Sequence, residues 1–526
     1  MDPAEGTAVP ADALQVTDMT RLRRFLCFGS EGSVYGARAQ QPGMENTQML
    51  MRLIEDGRGC EVVEEIRRFS QDGASVSPSP VLFALAVCSQ QPDAKTKQAA
   101  YEALRDVCRL PAHLFSFVQF KKELKEGMHC GIWGRALRKG VSDWYNQKEA
   151  MSLAVAVTKY KQRSGWSHKD LLRLSHMKPA NAGISLINKY ITKGWKEVQA
   201  AYSNTENSEE VAEVLRYLEA VEKVKHSTDE LEVIHLLEEH GLEPEQLLTS
   251  HLKSKEVCKT LLKEMPIATL LRSLGKMTAD NVLQQGSLDT ALVCERLQSE
   301  SALRKDKIHP FHVLLALQAY KKGQSSRGKV KWETDHAVVQ ALDAAFNKCF
   351  VNVEPTGKRF VLAVDVCMSN SLVLGSHLNA TTAAAAMTMG IVRAETEPQI
   401  LVFSEGAVIP SPVTPDMSLT QVMAELAKST GGATNCVLPI VWATENQKPT
   451  DVFIILTSNT SLGRIHAAEA LRMHRYRMGL SSKLIVCGLT SNGFSIADPE
   501  DRGMMDISGF DSGALLVIQN FILDQI

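Results

Sequence analysis

The feature that most limits what this chain can fold into is a change of hydrophobic period at NVEPTGKRF, Asn352–Phe360. Before it, apolar residues recur three and four apart. In AKTKQAAYEALRDVCRL this predicts a buried face of Ala99, Ala100, Ala103, Leu104, Val107 and Leu110. In GCEVVEEIRRFSQDG it predicts one of Val62, Val63, Ile66 and Phe69 that stops at a glycine. Similar segments continue, broken by MKPANAG, HGLEPE and KIHP, and strand signals are nearly absent. A long series of short amphipathic helices stacks most simply as helix pairs. The expectation is an irregular solenoid of the HEAT or armadillo type with no sharp repeat consensus; a closed, non-repetitive bundle is the alternative.

After Lys358 the apolar runs RFVLAV, PQILVF, DVFIIL and SKLIVCGL are unbroken rather than alternating, as in parallel strands covered on both faces. Helical stretches lie between them: LNATTAAAAMTMGIVRA, SLTQVMAELAKS and IHAAEALRMHRYR. Alternating strand and helix specifies a doubly wound α/β domain, which binds ligands at the carboxyl ends of its strands. Asp365 stands at such an end. The chain is therefore read as multidomain α and α/β: a flexible tail over 1–15, a helical-repeat region over 16–356 and an α/β domain over 357–526.

Composition excludes several classes. At 526 residues, 44% hydrophobic and 22% charged, the chain suits a globular protein of several domains. The opening MDPAEGTAVPADALQ lacks the basic and apolar regions of a secretory signal. The longest apolar run, VLFALAVC, is too short to span a bilayer, so no membrane association is expected. Eleven cysteines without a CxxC pair argue for reduced thiols in the cytosol or nucleus, and a cytoplasmic protein with a nuclear pool is expected.

The net charge of -2 conceals a strong asymmetry, because residues 121–200 carry 16 Lys and Arg against 6 Asp and Glu. Within KYKQRSGWSHKDLLRLSHMKPANAGISLINKYITKGWK the cations are mixed with Tyr160, Trp166, Tyr190 and Trp195, and with His168 and His176. Cations bind phosphates with salt-sensitive affinity, and aromatic faces stack on unpaired bases. The tryptophans read by themselves as core; the concentrated charge reads as a binding surface. Lys159 and Arg163 are four apart and on a helix would share a face. Ser167 offers N-cap chemistry, and His176 offers a donor to a phosphate or a base edge.

Several blocks resemble one known family: QVTDMTRLRRFLCFGSEG, LIEDGRGCEVVEEI, TKYKQRSGWSHKDLLRLSHMKP, YITKGWKEV, HLKSKEV, VEPTGKRF and LTSNGFSIADPEDRGMMDISGFD. The resemblance is to the sixty-kilodalton Ro/SS-A ribonucleoprotein autoantigens and runs from about Gln15 onward. It implies a closed ring of HEAT-like repeats, the TROVE module, shut by a von Willebrand factor A-like domain. It also implies binding of small noncoding Y RNAs on a basic outer surface and capture of single-stranded 3′ ends of misfolded RNAs through the central hole. Residue by residue, Lys159, Arg163 and His176 match the cationic and histidine positions of the RNA-contacting block. Arg135, Lys139 and Lys169 extend the same basic surface.

One departure from the family concerns metal. A-type domains hold Mg²⁺ with D-x-S-x-S after the first strand, a Thr from a second loop and an Asp after a later strand. Here these read Asp365, Cys367 and Ser369, then Thr434 in GGATNC, then Ser458 where the second Asp belongs. Mg²⁺ requires oxygen ligands and usually one or two carboxylates, and a thiol is a poor substitute. The expectation is a degenerate site of Asp365, Ser369 and Thr434 that keeps the loops and loses the ion; Mg²⁺ is the one cofactor it admits. No GxSxG, HExxH or P-loop is present, and PTGKRF lacks the glycine spacing, so the chain is not read as an enzyme. The expectation is a monomeric, noncatalytic RNA-binding protein acting in RNA quality control, with protein partners through the A-type domain. The alternatives are a protein-interaction scaffold and a metal-dependent nuclease.

Overall fold

The computed structural model describes residues 14–37, 42–368, 371–428, 434–458, 464–490 and 496–526. Two compact units divide it: Gln41–Met265, and Pro266–Ile526 together with the described residues of Met1–Gln40. The change of period at 352–360 is thus a change of secondary structure inside the second unit.

Gln41–Met265 is built from helices whose buried faces follow the three-four stagger. In the helix Gly59–Gln71, Val62, Val63, Ile66 and Phe69 are all 0% exposed. The helix Ala94–Val107 starts where the Asp93 carboxylate accepts the Thr96 N–H, and it buries Ala100, Ala103, Leu104 and Val107. Leu110 departs from the expected face. That helix ends before it, and Leu110 is the 41% exposed N-cap of the next, Pro111–Leu124. Ser79–Ser89 is apolar all round and buried from Pro80 to Ser89, as required of a helix covered on every side. Gly59–Gln71 packs on Ala94–Val107, and Ser79–Ser89 packs on Pro111–Leu124. Packing between next-but-one helices is what stacked helix pairs produce.

The second unit holds a seven-stranded sheet. Its strands are β1 (Val34–Gly36), β4 (Phe360–Asp365), β5 (Gln399–Phe403), β6 (Val408–Pro410), β7 (Val452–Thr457), β8 (Lys483–Gly488) and β9 (Met504–Ser508), in the order β1-β9-β8-β7-β4-β5-β6. The remaining two, β2 (Gln162–Arg163) and β3 (Trp166–Ser167), form a separate hairpin in the helical unit. Within the large sheet only β6 runs antiparallel to its neighbour. All six residues of β4 and of β7 are buried, which accounts for their unbroken apolar runs. Phe403 and Phe453 are 0% exposed, and burial of each contributes roughly 1.5–3 kcal/mol.

The N-terminal segment corrects the expectation of helix throughout 16–356. Val34, Tyr35 and Gly36 pair in parallel with Asp506, Ile507 and Ser508, so the sheet has an edge strand from the other end of the sequence. The helix Asp18–Phe28 buries Leu22, Phe25 and Leu26, and Asn520 Nδ2 donates to Cys27 Sγ at 3.4 Å. Tyr35 O–H donates to Asp511 at 2.9 Å. Strand β4 lies between β5 and β7, so the chain crosses over at its carboxyl end, where Asp365 sits.

Candidate nucleic-acid interface

The helix Ala150–Lys159 ends at Lys159. Lys159 and Arg163 therefore do not share a helix face, because the chain enters the β2–β3 hairpin, with Arg163 opposite Trp166. Ser164 and Gly165 form its two-residue turn with φ of 56° and 80°, the geometry a two-residue hairpin demands. The Ser167 hydroxyl then accepts the Asp170 N–H at 3.3 Å, while the Asp170 carboxylate accepts the Ser167 N–H at 3.0 Å; this capping box starts the helix His168–Ser175. His176 ends that helix in the left-handed region at φ 52° and is exposed.

The two histidines of this segment differ completely. His168 is 3% exposed, accepts the Tyr145 O–H on Nδ1 at 2.6 Å and donates from Nε2 to the Tyr160 carbonyl at 2.6 Å. Burial pulls it down to about 4, so the ring is neutral and structural at pH 7. His176 is the one available to a ligand.

The six residues expected to meet RNA occupy several distinct settings. Lys159 is bound to the Glu243 carboxylate, with its side chain only 18% exposed. Burial opposes its charge, but Glu243 and Glu245 outweigh that and hold the ammonium above its ordinary value. Arg163 is exposed on the hairpin and lines a cavity of about 240 Å³ with His113, Ser79 and Tyr160. Burial first, then Arg109 and Arg163, lower the His113 imidazole. Lys169 lines a cavity of about 320 Å³ with Lys161, Lys225, Tyr190 and Trp195. The acid in that wall, Glu222, is engaged by the Tyr190 O–H at 2.5 Å and the Lys225 ammonium at 2.7 Å. Arg135 begins the helix Arg135–Asn146 and is exposed. Lys139, on the same helix, pairs with Asp143 at 2.6 Å beside Lys97 and Arg105. The structure thus brings Lys169 together with Lys161 and Lys225, and Arg163 with Arg109 and His113. It does not bring the six into one constellation.

Not all of the positive charge faces solvent. Lys121 is 3% exposed, donates to Ser89 Oγ at 2.8 Å and lies 5.5 Å and 5.8 Å from the Tyr101 and Phe117 ring centroids. Burial, then Lys125 and Lys97, pull it down to about 7. Trp144 is core, 1% exposed, with its indole N–H on the Cys108 carbonyl at 2.7 Å. Trp133 and Trp166 instead meet edge to face at 6.0 Å on the wall of a cavity of about 530 Å³, and the Lys122 ammonium lies 5.9 Å from the Trp166 ring. The reading of the tryptophans as core holds for Trp144, whereas Trp133, Trp166 and Trp195 are half-buried and Trp166 carries a cation over its ring.

At the head of the sheet, Asp365 is 1% exposed. Its Oδ1 accepts the Cys367 N–H at 2.9 Å, and its Oδ2 accepts the Thr434 and Thr457 hydroxyls, each at 2.8 Å. Thr457, the last residue of β7, was not among the expected ligands; only its position beside Ser458 could have suggested it. Ser369 lies outside the described residues. Among the described residues no three His, Cys, Asp or Glu side chains gather as a metal set. One carboxylate engaged by three donors, with no second acid from Ser458, fits Mg²⁺ poorly.

Family comparison bears on both regions. Residues 10–319 match the TROVE domain and residues 359–522 match the Ro60 vWA domain. The chain is 33% identical to the RNA-binding protein RO60 of Caenorhabditis elegans, across 97% of this chain and 89% of that one. It is also 33% identical to the RNA-binding protein RO60 of Deinococcus radiodurans, across 96% and 93%. The crystal structure of the Deinococcus radiodurans RO (RSR) protein superposes with a TM-score of 0.85 at 31% identity, covering 97% of this chain and all of that one. With a TROVE domain in its helical portion and a Ro60-type A domain after it, the chain belongs to the Ro60 family.

Proposed function

We propose that this protein binds RNA without catalysis, holding small structured noncoding RNAs of the Y class on the basic surface of residues 121–200. On this reading it also captures misfolded noncoding RNAs by their single-stranded 3′ ends, as a step in RNA quality control. The observation that carries the proposal is the set of exposed cations in residues 121–200, with Lys161 and Lys169 beside Tyr190 and Trp195, Arg163 opposite Trp166 and Arg135 at a helix start, in a chain whose remaining residues are net acidic. Their physical role is to neutralise phosphates, which gives affinity without sequence preference. Half-buried rings at Trp166 and Trp195 offer faces on which an unpaired base stacks. His176, exposed at the left-handed cap of its helix, would donate to a phosphate or a base edge. Selection would rest on shape and a free end.

In this reading the loops around Asp365 are structural. The carboxylate ties the ends of β4 and β7 to the loop carrying Thr434, and no divalent ion takes part. The direct test is to purify the protein from its own cells, compare absorbance at 260 and 280 nm before and after nuclease treatment, and sequence what is bound. Small structured noncoding RNA is expected. A nucleic-acid-free preparation that retains acidic proteins would favour a protein scaffold instead.

A further inference from the structure

A second basic feature lies in the other compact unit, in KKGQSSRGKVKW, Lys321–Trp332. Its five cations, Lys321, Lys322, Arg327, Lys329 and Lys331, are all exposed, and the segment contains no acid. No ion pair is formed by any of them among the described residues. The usual fate of such a run is a solvated loop, but this one is built. Ser325 N–H donates to the Val330 carbonyl at 2.8 Å, Gly328 N–H to the Ser325 carbonyl at 2.8 Å, and Trp332 N–H to the Gly323 carbonyl at 2.9 Å, while Gln324 bridges Lys331. Gly323 and Gly328 take φ of 71° and 66°, which the turn requires.

The base of the hairpin is locked by an aromatic anchor. Trp332 stacks on Tyr320, centroids 6.1 Å apart and planes 22° from parallel, and its indole N–H donates to the Tyr320 carbonyl at 2.9 Å. It lies so close to Gly275 that a β-carbon there would fall 2.6 Å from the ring. Beside the hairpin is a cavity of about 360 Å³ walled by Arg272, Lys276, Lys322, Ser326, Trp332 and His377, with no carboxylate in its lining. Lys276 is engaged by Asp280; Arg272 and Lys322 are not engaged by any acid among the described residues.

We infer that this hairpin and its cavity form a second phosphate-binding surface for RNA, separate from the cations of residues 121–200. Lys329 and Lys331 flank Val330, whose carbonyl is held by the Ser325 N–H at 2.8 Å, so both exposed cations sit on the ordered part of the turn. Ser326 and His377 add donors suited to phosphate oxygens. Lysine is depleted from protein–protein interfaces, so a lysine-dominated, acid-free surface fits a polyanion better than a folded protein. Because the loop is already ordered, little conformational entropy is lost on binding.

The inference rests on the RNA-binding reading, and its test separates the two. The probe is a fluorescein-labelled hairpin RNA with a single-stranded tail, titrated by anisotropy with the full chain at several salt concentrations. Lys322→Ala/Arg327→Ala/Lys329→Ala/Lys331→Ala should bind about tenfold more weakly, with a log K against log salt slope shallower by roughly 2–3. The charge-conserving Lys322→Arg/Arg327→Lys/Lys329→Arg/Lys331→Arg should stay within about twofold of wild type. Arg327→Glu/Lys329→Glu, confined to the turn, should weaken binding as well and covers the case in which the quadruple alanine variant folds poorly. Wild-type affinity and slope in the alanine variant, with binding lost in Arg163→Ala/Lys169→Ala, would overturn this inference alone. An alanine variant that keeps RNA but loses polyglutamate binding would overturn it in favour of an acidic protein surface. Failure of the wild-type protein to bind the RNA would overturn both.

Discussion

Lys121 provides a quantitative test of how the basic segment is built. The side chain is 3% exposed and has a hydroxyl, not a carboxylate, as its hydrogen-bond partner, and its ammonium is pulled from 10.5 down to about 7. That displacement corresponds to roughly 5 kcal/mol of cost for keeping the charged form buried, at 1.36 kcal/mol per tenfold. The folded value is the lower one, so between pH 7 and 10.5 the unfolded chain holds a proton that the folded chain has released. The cost is therefore full below pH 7, falls as pH rises and vanishes above 10.5. Lys121→Met keeps the length and removes the charge. Ser89 Oγ loses a donor, worth about 1 kcal/mol, but it still donates to the Ala86 carbonyl. Replacing a buried charge by an apolar side chain typically gains about 1–4 kcal/mol. Urea unfolding of the full chain, followed by tryptophan fluorescence, should show the variant more stable by about 2–4 kcal/mol at pH 6, with the advantage shrinking towards pH 10. RNA affinity should be unchanged. A less stable variant at pH 6, or an advantage that does not vary with pH, would refute the reasoning.

Four further outcomes follow from the geometry. Lys159 can reach a phosphate only by leaving Glu243, so Glu243→Gln should raise RNA affinity severalfold, since an opposed charge at 4 Å is worth about 1 kcal/mol even in water. The gain should vanish in a Lys159→Ala background; equal gains in both backgrounds would show that the pair is only structural. Calorimetry with Mg²⁺ or Mn²⁺ should give no saturable heat at millimolar concentration. Asp365→Ala should cost roughly 2–4 kcal/mol of stability, because it removes the carboxylate that accepts the Thr434 and Thr457 hydroxyls. Saturable heat abolished in that variant would restore a metal site. His168, lowered from 6.5 to about 4, favours the neutral ring in the fold, so its contribution is present above pH 6.5 and is lost as pH falls towards 4. A pH series of urea midpoints should show a loss of about 3 kcal/mol over that window, flattened in His168→Gln.

What could be read from the residues was local. The stagger of Val62, Val63, Ile66 and Phe69, the Ser167 cap and the buried runs of β4 and β7 all depend on near neighbours, and the structure repeats them. What could not be read depends on distant partners or on turns. Three residues, Val34–Gly36, are too few to carry a strand signal, and their partners lie beyond residue 500. The spacing of Lys159 and Arg163 suggested a helix face, yet Ser164-Gly165 is a hairpin turn, and turn chemistry overrode the spacing. Glu243 is 84 residues from Lys159, so their pairing leaves no trace in the segment itself. The same holds for Lys225 beside Lys169 and for Lys121, whose charge counts in the sequence but does not reach the surface.

The central claim, an RNA surface within residues 121–200, is tested most directly by the salt dependence of binding. Anisotropy of a labelled hairpin RNA with a single-stranded tail would be measured for wild type and for Arg163→Ala/Lys169→Ala/His176→Ala across a range of salt. Saturable wild-type binding that weakens steeply with salt is expected, with the triple variant weaker and its log–log slope shallower by roughly 2, because each phosphate left without its cation keeps its counterion. Wild-type binding insensitive to salt, or a triple variant with undiminished affinity and slope, would contradict it.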